Sequence, residues 1–236
     1  MAFFNGNDLD NTFSGTSSND EMRGRGGNDI LIGNLGNDLL DGGDGYDQLD
    51  GGEGDDSVIG GAGIDILQGG AGNDTIDGGD GDDHLYAGDG VDNLIGGAGR
   101  DVADYLSSQI GVSVTIGGTG SGGQAEGDTI GADIEEIQGS TKNDILIGSN
   151  DSNALYGSMG DDTLFGLGGN DGLSGWYGDD VINGGDGDDF IFGDDGVDSV
   201  VGGDGNDGIM GGTGGDTLSG GSGIDLLAYR DSSAGV

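Results

Sequence analysis

The chain contains no cysteine, no proline and one histidine among its 236 residues. Without cysteine it can form neither a disulfide nor a thiolate metal site. A zinc centre would need histidine or cysteine ligands, which the chain cannot supply in number. Basic residues are almost missing as well: five Lys+Arg stand against 46 Asp+Glu, for a formal charge of −41. Nucleic acid and anionic membrane surfaces repel such a chain, and its natural partners are cations. No apolar run approaches the ~18 residues of a transmembrane helix. The opening MAFFNGNDLD has neither the basic nor the apolar region of a secretory signal peptide.

Glycine is present in excess, at 62 residues. By composition alone, so much glycine with so high a charge reads as a disordered chain. The order of the residues contradicts that reading. The stretch GGDGYDQLDGGEGDDSVI at 42–59 is one nine-residue phrase written twice. Phrase-final aspartates fall every nine residues from Asp20 to Asp101, and again from Asp144 to Asp225 with Asn153 in one place. Two residues after each comes an apolar residue. These are Met22, Leu31, Leu40, Leu49, Val58, Leu67, Ile76, Leu85, Leu94 and Ala103. In the second array they are Leu146, Leu155, Leu164, Leu173, Ile182, Ile191, Val200, Ile209, Leu218 and Leu227. Complete GGxGxD phrases start at Gly42, Gly51, Gly60, Gly69, Gly78 and Gly96, then at Gly184, Gly202, Gly211 and Gly220. Disorder remains the expectation only for the metal-free chain.

A longer period overlies the short one. GTSSND (15–20) resembles GSTKND (139–144), and DVADYLSSQIGV (101–112) resembles DLLAYRDSSAGV (225–236). The chain ends where a second connector would begin, so a piece of a longer tandem protein is expected. The domain reading is a first roll with an N-terminal cap at 1–104, a β connector at 105–143, a second roll at 144–228 and the start of a further connector at 229–236.

The phrase has a mechanical reading. GGxG asks for a tight turn. The three residues after the aspartate are strand-like, with the middle one facing inward. A three-residue strand must stack on copies of itself, so phrase n is expected on phrase n+2, and helix is excluded for want of a 3.6-residue period. The fold class is all-β: a parallel β-roll, or solenoid, in two blocks of GGxGxDxUx repeats (U aliphatic) joined by a small β connector. Stacking would put aspartates one strand spacing apart, where two carboxylates repel by ~3 kcal/mol at an effective dielectric of 20. Carboxylate plus turn carbonyl oxygen is a hard ligand set that suits Ca²⁺ better than Mg²⁺, which holds its water and demands octahedral geometry. One aliphatic side chain per phrase is a thin core, so metal binding is expected to be part of the folding free energy.

GGxGxDxUx resembles the nonapeptide of the RTX, or repeats-in-toxin, family, a Ca²⁺-binding parallel β-helix repeat. The connector DYLSSQIGVSVTI with GDTIGADIEEIQGSTKND is similar to segments between RTX blocks. The resemblance implies a β-roll with multiple Ca²⁺ between stacked turns, held by phrase-final aspartates and turn carbonyls, and type I secretion. Carried onto this chain, the metal residues are Asp29, Asp38, Asp47, Asp56, Asp65, Asp74, Asp83, Asp92 and Asp101. In the second array they are Asp162, Asp171, Asp180, Asp189, Asp198, Asp207, Asp216 and Asp225. Asn153 replaces an aspartate, Trp176 stands where a second glycine belongs, and Asp20 and Asp144 open arrays without a regular preceding turn; these positions depart from the pattern.

No nucleophile–base set, zinc-protease motif or nucleotide fingerprint is present, and a non-enzyme is expected. The expected function is a secreted calcium-binding module that folds on extracellular Ca²⁺ and has a structural or adhesive role at a cell surface. The alternative is the calcium-responsive folding and secretion module of a larger exoenzyme or toxin. Partners beyond calcium would be a second copy or a cell-surface molecule. Phe190 and Phe192 are read as cover over neighbouring glycines, Trp176 and Tyr177 as local packing with sugar stacking as the alternative, and His84 as a surface histidine.

Overall fold

The computed structural model describes residues 1–229. Apart from a single 3₁₀ turn at Gly123–Ala125, its regular elements are all β-strands. The chain divides into two compact units. The first comprises Met1–Asp104 with Gly117–Ile134, and the second Tyr105–Ile116 with the chain from Glu135 onward.

In the first unit one ladder runs through Phe3–Asn5, Glu21–Gly26, Leu39–Asp44, Ser57–Ala62, Thr75–Asp80, Asn93–Ala98 and Thr129–Ile130, all parallel. The other runs through Thr12–Ser14, Ile30–Leu35, Gln48–Glu53, Ile66–Ala71, His84–Asp89 and Val102–Asp104. Consecutive phrases alternate between the two ladders, so each phrase pairs with the phrase 18 residues on: Leu49 opposes Leu67, which opposes Leu85. This is a parallel β-roll.

The second unit repeats the plan. Ser113–Thr115, Ile145–Ile147, Thr163–Gly168, Val181–Asp186, Ser199–Asp204 and Thr217–Ser222 form one ladder. Glu136–Gln138, Ala154–Met159, Gly172–Tyr177, Phe190–Asp195, Gly208–Met210 and Leu226–Ala228 form the other. Residues 229–236 were expected to start a further connector; all but Tyr229 lie outside the described residues.

The core is one column of side chains per ladder. Met22, Leu31, Leu40, Val58, Leu67, Ile76, Leu85 and Leu94 are fully buried in the first unit, as are Leu146, Leu155, Leu164, Leu173, Ile182 and Ile191 in the second. Leu218 is half-buried and Leu227 is exposed. In the connector sequence, Val112, Val114 and Ile116 turn inward, whereas Ile110 is exposed.

The strands are longer than the expected three residues. Most have six, because pairing continues past the first glycine: Gly52 opposes Gly70 and Glu53 opposes Ala71. The second glycine makes this possible. Gly61 has φ +115°, and a Cβ there would lie 2.2 Å from the Gly43 carbonyl oxygen. Glycine adopts this φ without strain and holds the corner in most phrases; Arg25, Asn34, Ser158, Leu167, Trp176 and Asp194 hold it elsewhere, at φ between +71° and +84°.

Candidate metal centre

Each phrase-final aspartate is placed by its neighbours 18 residues away. The backbone N–H of Asp47 donates to Asp65 Oδ1 at 2.8 Å, and that of Asp65 to Asp83 Oδ1 at 2.8 Å. The bond recurs along both columns of the first unit, from Asn11 and Asp20 upward, and along both columns of the second, from Asp144 and Asn153 upward. The carboxylates are buried by it: Asp29 to Asp101 and Asp162 to Asp207, at nine-residue steps, are all 3% exposed or less.

Their second oxygens are orphans. The Oδ2 atoms of Asp29, Asp38, Asp47, Asp56, Asp65, Asp74, Asp83 and Asp92 are buried without a hydrogen bond. So are those of Asp162, Asp171, Asp180, Asp189, Asp198 and Asp207. Facing them are more acceptors. A Cβ built on Gly51 would meet Asp56 Oδ2 at 2.6 Å and the Gly69 carbonyl oxygen at 2.6 Å. The same pairing of carboxylate and carbonyl recurs at Gly42, Gly60, Gly78 and Gly202. A buried acceptor without a donor is destabilising by about 1–3 kcal/mol, and more when charged. A repeated set of such groups facing carbonyls calls for cations.

Electrostatics agree. Burial pushes the Asp65, Asp92 and Asp162 carboxyls up to about 7. It pushes Asp47, Asp56, Asp171, Asp180, Asp189 and Asp198 up to about 6. Repulsion from neighbouring aspartates adds to the shift at most of these positions. A bound divalent ion would reverse this by favouring the charged form. Among the described residues, no three acidic or histidine side chains converge on one point. The ligands of any one ion would therefore include backbone carbonyls as well as carboxylates. That oxygen-only set fits Ca²⁺.

A family model described as the RTX calcium-binding nonapeptide repeat (4 copies) matches residues 5–40, 32–67, 68–103, 130–164, 138–173, 174–209 and 210–227. The chain belongs to this RTX family. It is a Ca²⁺-binding repeat module with the β-roll fold. A comparison with curated proteins gives no match.

Within the RTX frame, the aspartates chosen from sequence occupy equivalent places, with differences at the ends. Asp101 accepts from the Asp83 N–H at 2.9 Å. Asp216 and Asp225 hold the same register, accepting from Asp198 and Asp207 at 3.2 Å, but are only half-buried. Three further positions were missed. Asn11 is in register, nine residues before Asp20, with Phe13 at the apolar position; its N–H donates to Asp29 Oδ1 at 2.6 Å. Asp128 receives the N–H of Asp92 at 2.8 Å and so continues a column from within the connector sequence. Its signal was Asp-Thr-Ile at 128–130, the end of a phrase with an irregular turn before it.

The third miss is a ladder at the fifth phrase position, which the repeat pattern leaves open. Here the side chain of the lower phrase accepts from the N–H of the upper one: Asn28 from Tyr46, Asp55 from Asn73, Asp161 from Asp179, Asp188 from Asn206. It explains the frequency of Asp and Asn just before the phrase-final aspartate.

The remaining side chains are placed as follows. The Phe190 ring covers Gly208, where an added Cβ would lie 3.2 Å from it, and packs on Phe192 at 6.0 Å. His84 stacks on Tyr86 at 4.6 Å and reaches Asp104 Oδ2 at 2.8 Å. Trp176 takes the glycine corner at φ +75° and lines, with Tyr177, Asp194 and Asp195, a cavity of about 360 Å³.

Proposed function

We propose that this RTX module is secreted, that it folds on binding extracellular Ca²⁺, and that it serves a non-catalytic structural or adhesive role in a cell-surface layer, filament or matrix protein. The observation that carries the calcium-driven folding is the rows of buried carboxylate oxygens that accept no hydrogen bond. In a metal-free chain they oppose folding; with ions they join successive phrases. Aspartates 29–101, 162–207 and the looser Asp216 and Asp225 are the ligands in this reading, with turn carbonyls completing each site. Low cytosolic calcium keeps the chain unfolded for export, and calcium outside folds it. Among the described residues, no helix is long and apolar enough to cross a membrane.

The structural role is supported by the 124-residue super-repeat, since tandem units suit extended surface proteins. Far-UV circular dichroism during a calcium titration, with magnesium as control, tests the folding switch. A cooperative coil-to-β change with calcium, reversed by chelator, is expected. A spectrum that stays disordered at millimolar calcium would overturn it. Electron microscopy at the same calcium concentration tests the role: filaments or sheets are expected, and dispersed particles would favour a secretion module of a larger enzyme or toxin.

A further inference from the structure

Four acid or amide columns run through the two units, and each begins with a turn unlike those that follow. The leading members are Asn11, Asp20, Asp144 and Asn153. In each, an oxygen that is orphaned further along the column is already bonded within its own turn. Asp20 Oδ2 accepts from Thr16 N–H at 2.6 Å and Thr16 Oγ1 at 2.8 Å. Asp144 Oδ2 accepts from Ser140 N–H at 2.7 Å, and the Ser140 hydroxyl reaches Oδ1 at 2.8 Å. Asn153 Oδ1 accepts from Ser149 N–H at 2.7 Å and Ser149 Oγ at 3.0 Å. Asn11 Oδ1 accepts from Asn7 N–H at 2.9 Å.

The cause lies in the shape of the turn. A regular phrase has a positive-φ glycine at its fourth position, as at Gly27, Gly36, Gly160 and Gly169, and the residue four before the aspartate is left-handed as well: Arg25, Asn34, Ser158 and Leu167 have φ +83°, +78°, +84° and +77°. The leading turns GTSSND, GSTKND, GSNDSN and GNDLDN lack the fourth-position glycine, and Thr16, Ser140, Ser149 and Asn7 are not left-handed, so their N–H groups reach the acid or amide of their own turn. The orphan rows start at the very next member of each column: Asp29, Asp38, Asp162 and Asp171. Two of the four leading residues are asparagines, which bring no charge to an ion.

We propose that these four leading turns hold no ion, and that Thr16, Ser140 and Ser149 supply by hydrogen bonding what calcium supplies to the turns above. The inference rests on the calcium reading of the regular phrases. Its physical basis is that a leading turn has a regular phrase on one side only, and so lacks half of the stacked oxygens. An intraturn donor closes the column without a metal, which gives each roll a calcium-independent first turn on which ion-bound phrases stack.

Bound calcium per chain, measured by equilibrium dialysis on the full chain with circular dichroism as a folding control, tests this. Asp20→Asn and Asp144→Asn should leave the calcium bound at saturation unchanged; each also loses one acceptor, because the other oxygen takes the N–H of Ala2 or of Val112, so the calcium count and not the folding midpoint is the readout. Asp65→Asn and Asp180→Asn should each lower the bound calcium by at least one ion or raise the midpoint severalfold. The paired change Asp151→Gly with Asn153→Asp, which restores the fourth-position glycine and the phrase-final aspartate of a regular turn, should add one ion. A loss of calcium in Asp20→Asn or Asp144→Asn would overturn the proposal, whether or not the mid-column variants fold. An unchanged count in the paired variant would overturn it too. Wild-type protein that binds no calcium would instead overturn the calcium reading itself.

Discussion

Asp65 accepts the backbone N–H of Asp47 through Oδ1 at 2.8 Å, while its Oδ2 is buried with no hydrogen-bond partner. One oxygen joins two phrases across 18 residues; the other is the ligand atom in the proposed calcium reading. In that reading structure and metal binding share a single carboxylate, and substitutions can separate them.

Replacing Asp65 with alanine removes both functions, whereas asparagine retains an oxygen for the Asp47 N–H. Asp65→Ala should be destabilised relative to Asp65→Asn by about 1–2 kcal/mol, the cost of leaving a buried donor unmet. Urea unfolding at saturating calcium measures the difference. Equal midpoints would show that the interphrase bond contributes nothing.

The acid dependence of the metal-free chain has an unusual sign. Burial raises the folded carboxyls of Asp47, Asp65, Asp92 and Asp162 to about 6 or 7, above the value of about 4 for an unfolded aspartate. The folded state then binds more protons than the unfolded state. Its contribution to stability is fully present below about pH 4 and is lost as pH rises through 6 to 7. In chelator, β-signal should therefore grow on acidification from pH 7.5 to 4.5. With calcium present, protons compete for the same oxygens, so the calcium midpoint should rise as pH falls. Circular dichroism across that range checks both signs.

Leu67 is fully buried between Leu49 and Leu85. With one such residue per phrase, nothing else fills the space. Leu67→Ala should destabilise the calcium-bound roll by about 3 kcal/mol. Ile64→Ala, at a position that is 56% exposed, should change stability by about 0.5 kcal/mol or less. Thermal unfolding of the two variants makes the comparison.

Glycines of one strand type differ sharply. Gly61→Ala would place a Cβ 2.2 Å from the Gly43 carbonyl oxygen at φ +115°, so the variant should need severalfold more calcium to reach full β-signal. Gly172 has nothing within 4 Å of its added Cβ and no such φ, so Gly172→Ala should be neutral or stabilising by up to about 1 kcal/mol. Calcium titrations followed by circular dichroism distinguish the two.

The nine-residue spacing of Asp47, Asp56 and Asp65, with an aliphatic residue two positions after each, was enough to read the parallel roll, its 18-residue pairing and its core. These follow from local rules: glycine turns, strand alternation and like phrases stacking on like. The oxygen-only chemistry of the ion was legible for the same reason, since the residue types that bind softer metals are missing. The length of the strands was not, because pairing through Gly52 and Gly70 depends on how closely two corners approach. Nor was the division between turns with an orphaned carboxylate oxygen and self-satisfied turns. Asp20 and Asp38 look alike in the register, yet Thr16 occupies Oδ2 of the first while Oδ2 of the second stays unbonded. Asp128 entered its column only because the chain brings it beneath the same ladder as Asp92, 36 residues away. A repeat dictates which residues recur, since each phrase repeats the same local forces. Which oxygen of a carboxylate is bonded depends on the donors that other phrases and the turn itself bring within reach, and only the tertiary structure decides that.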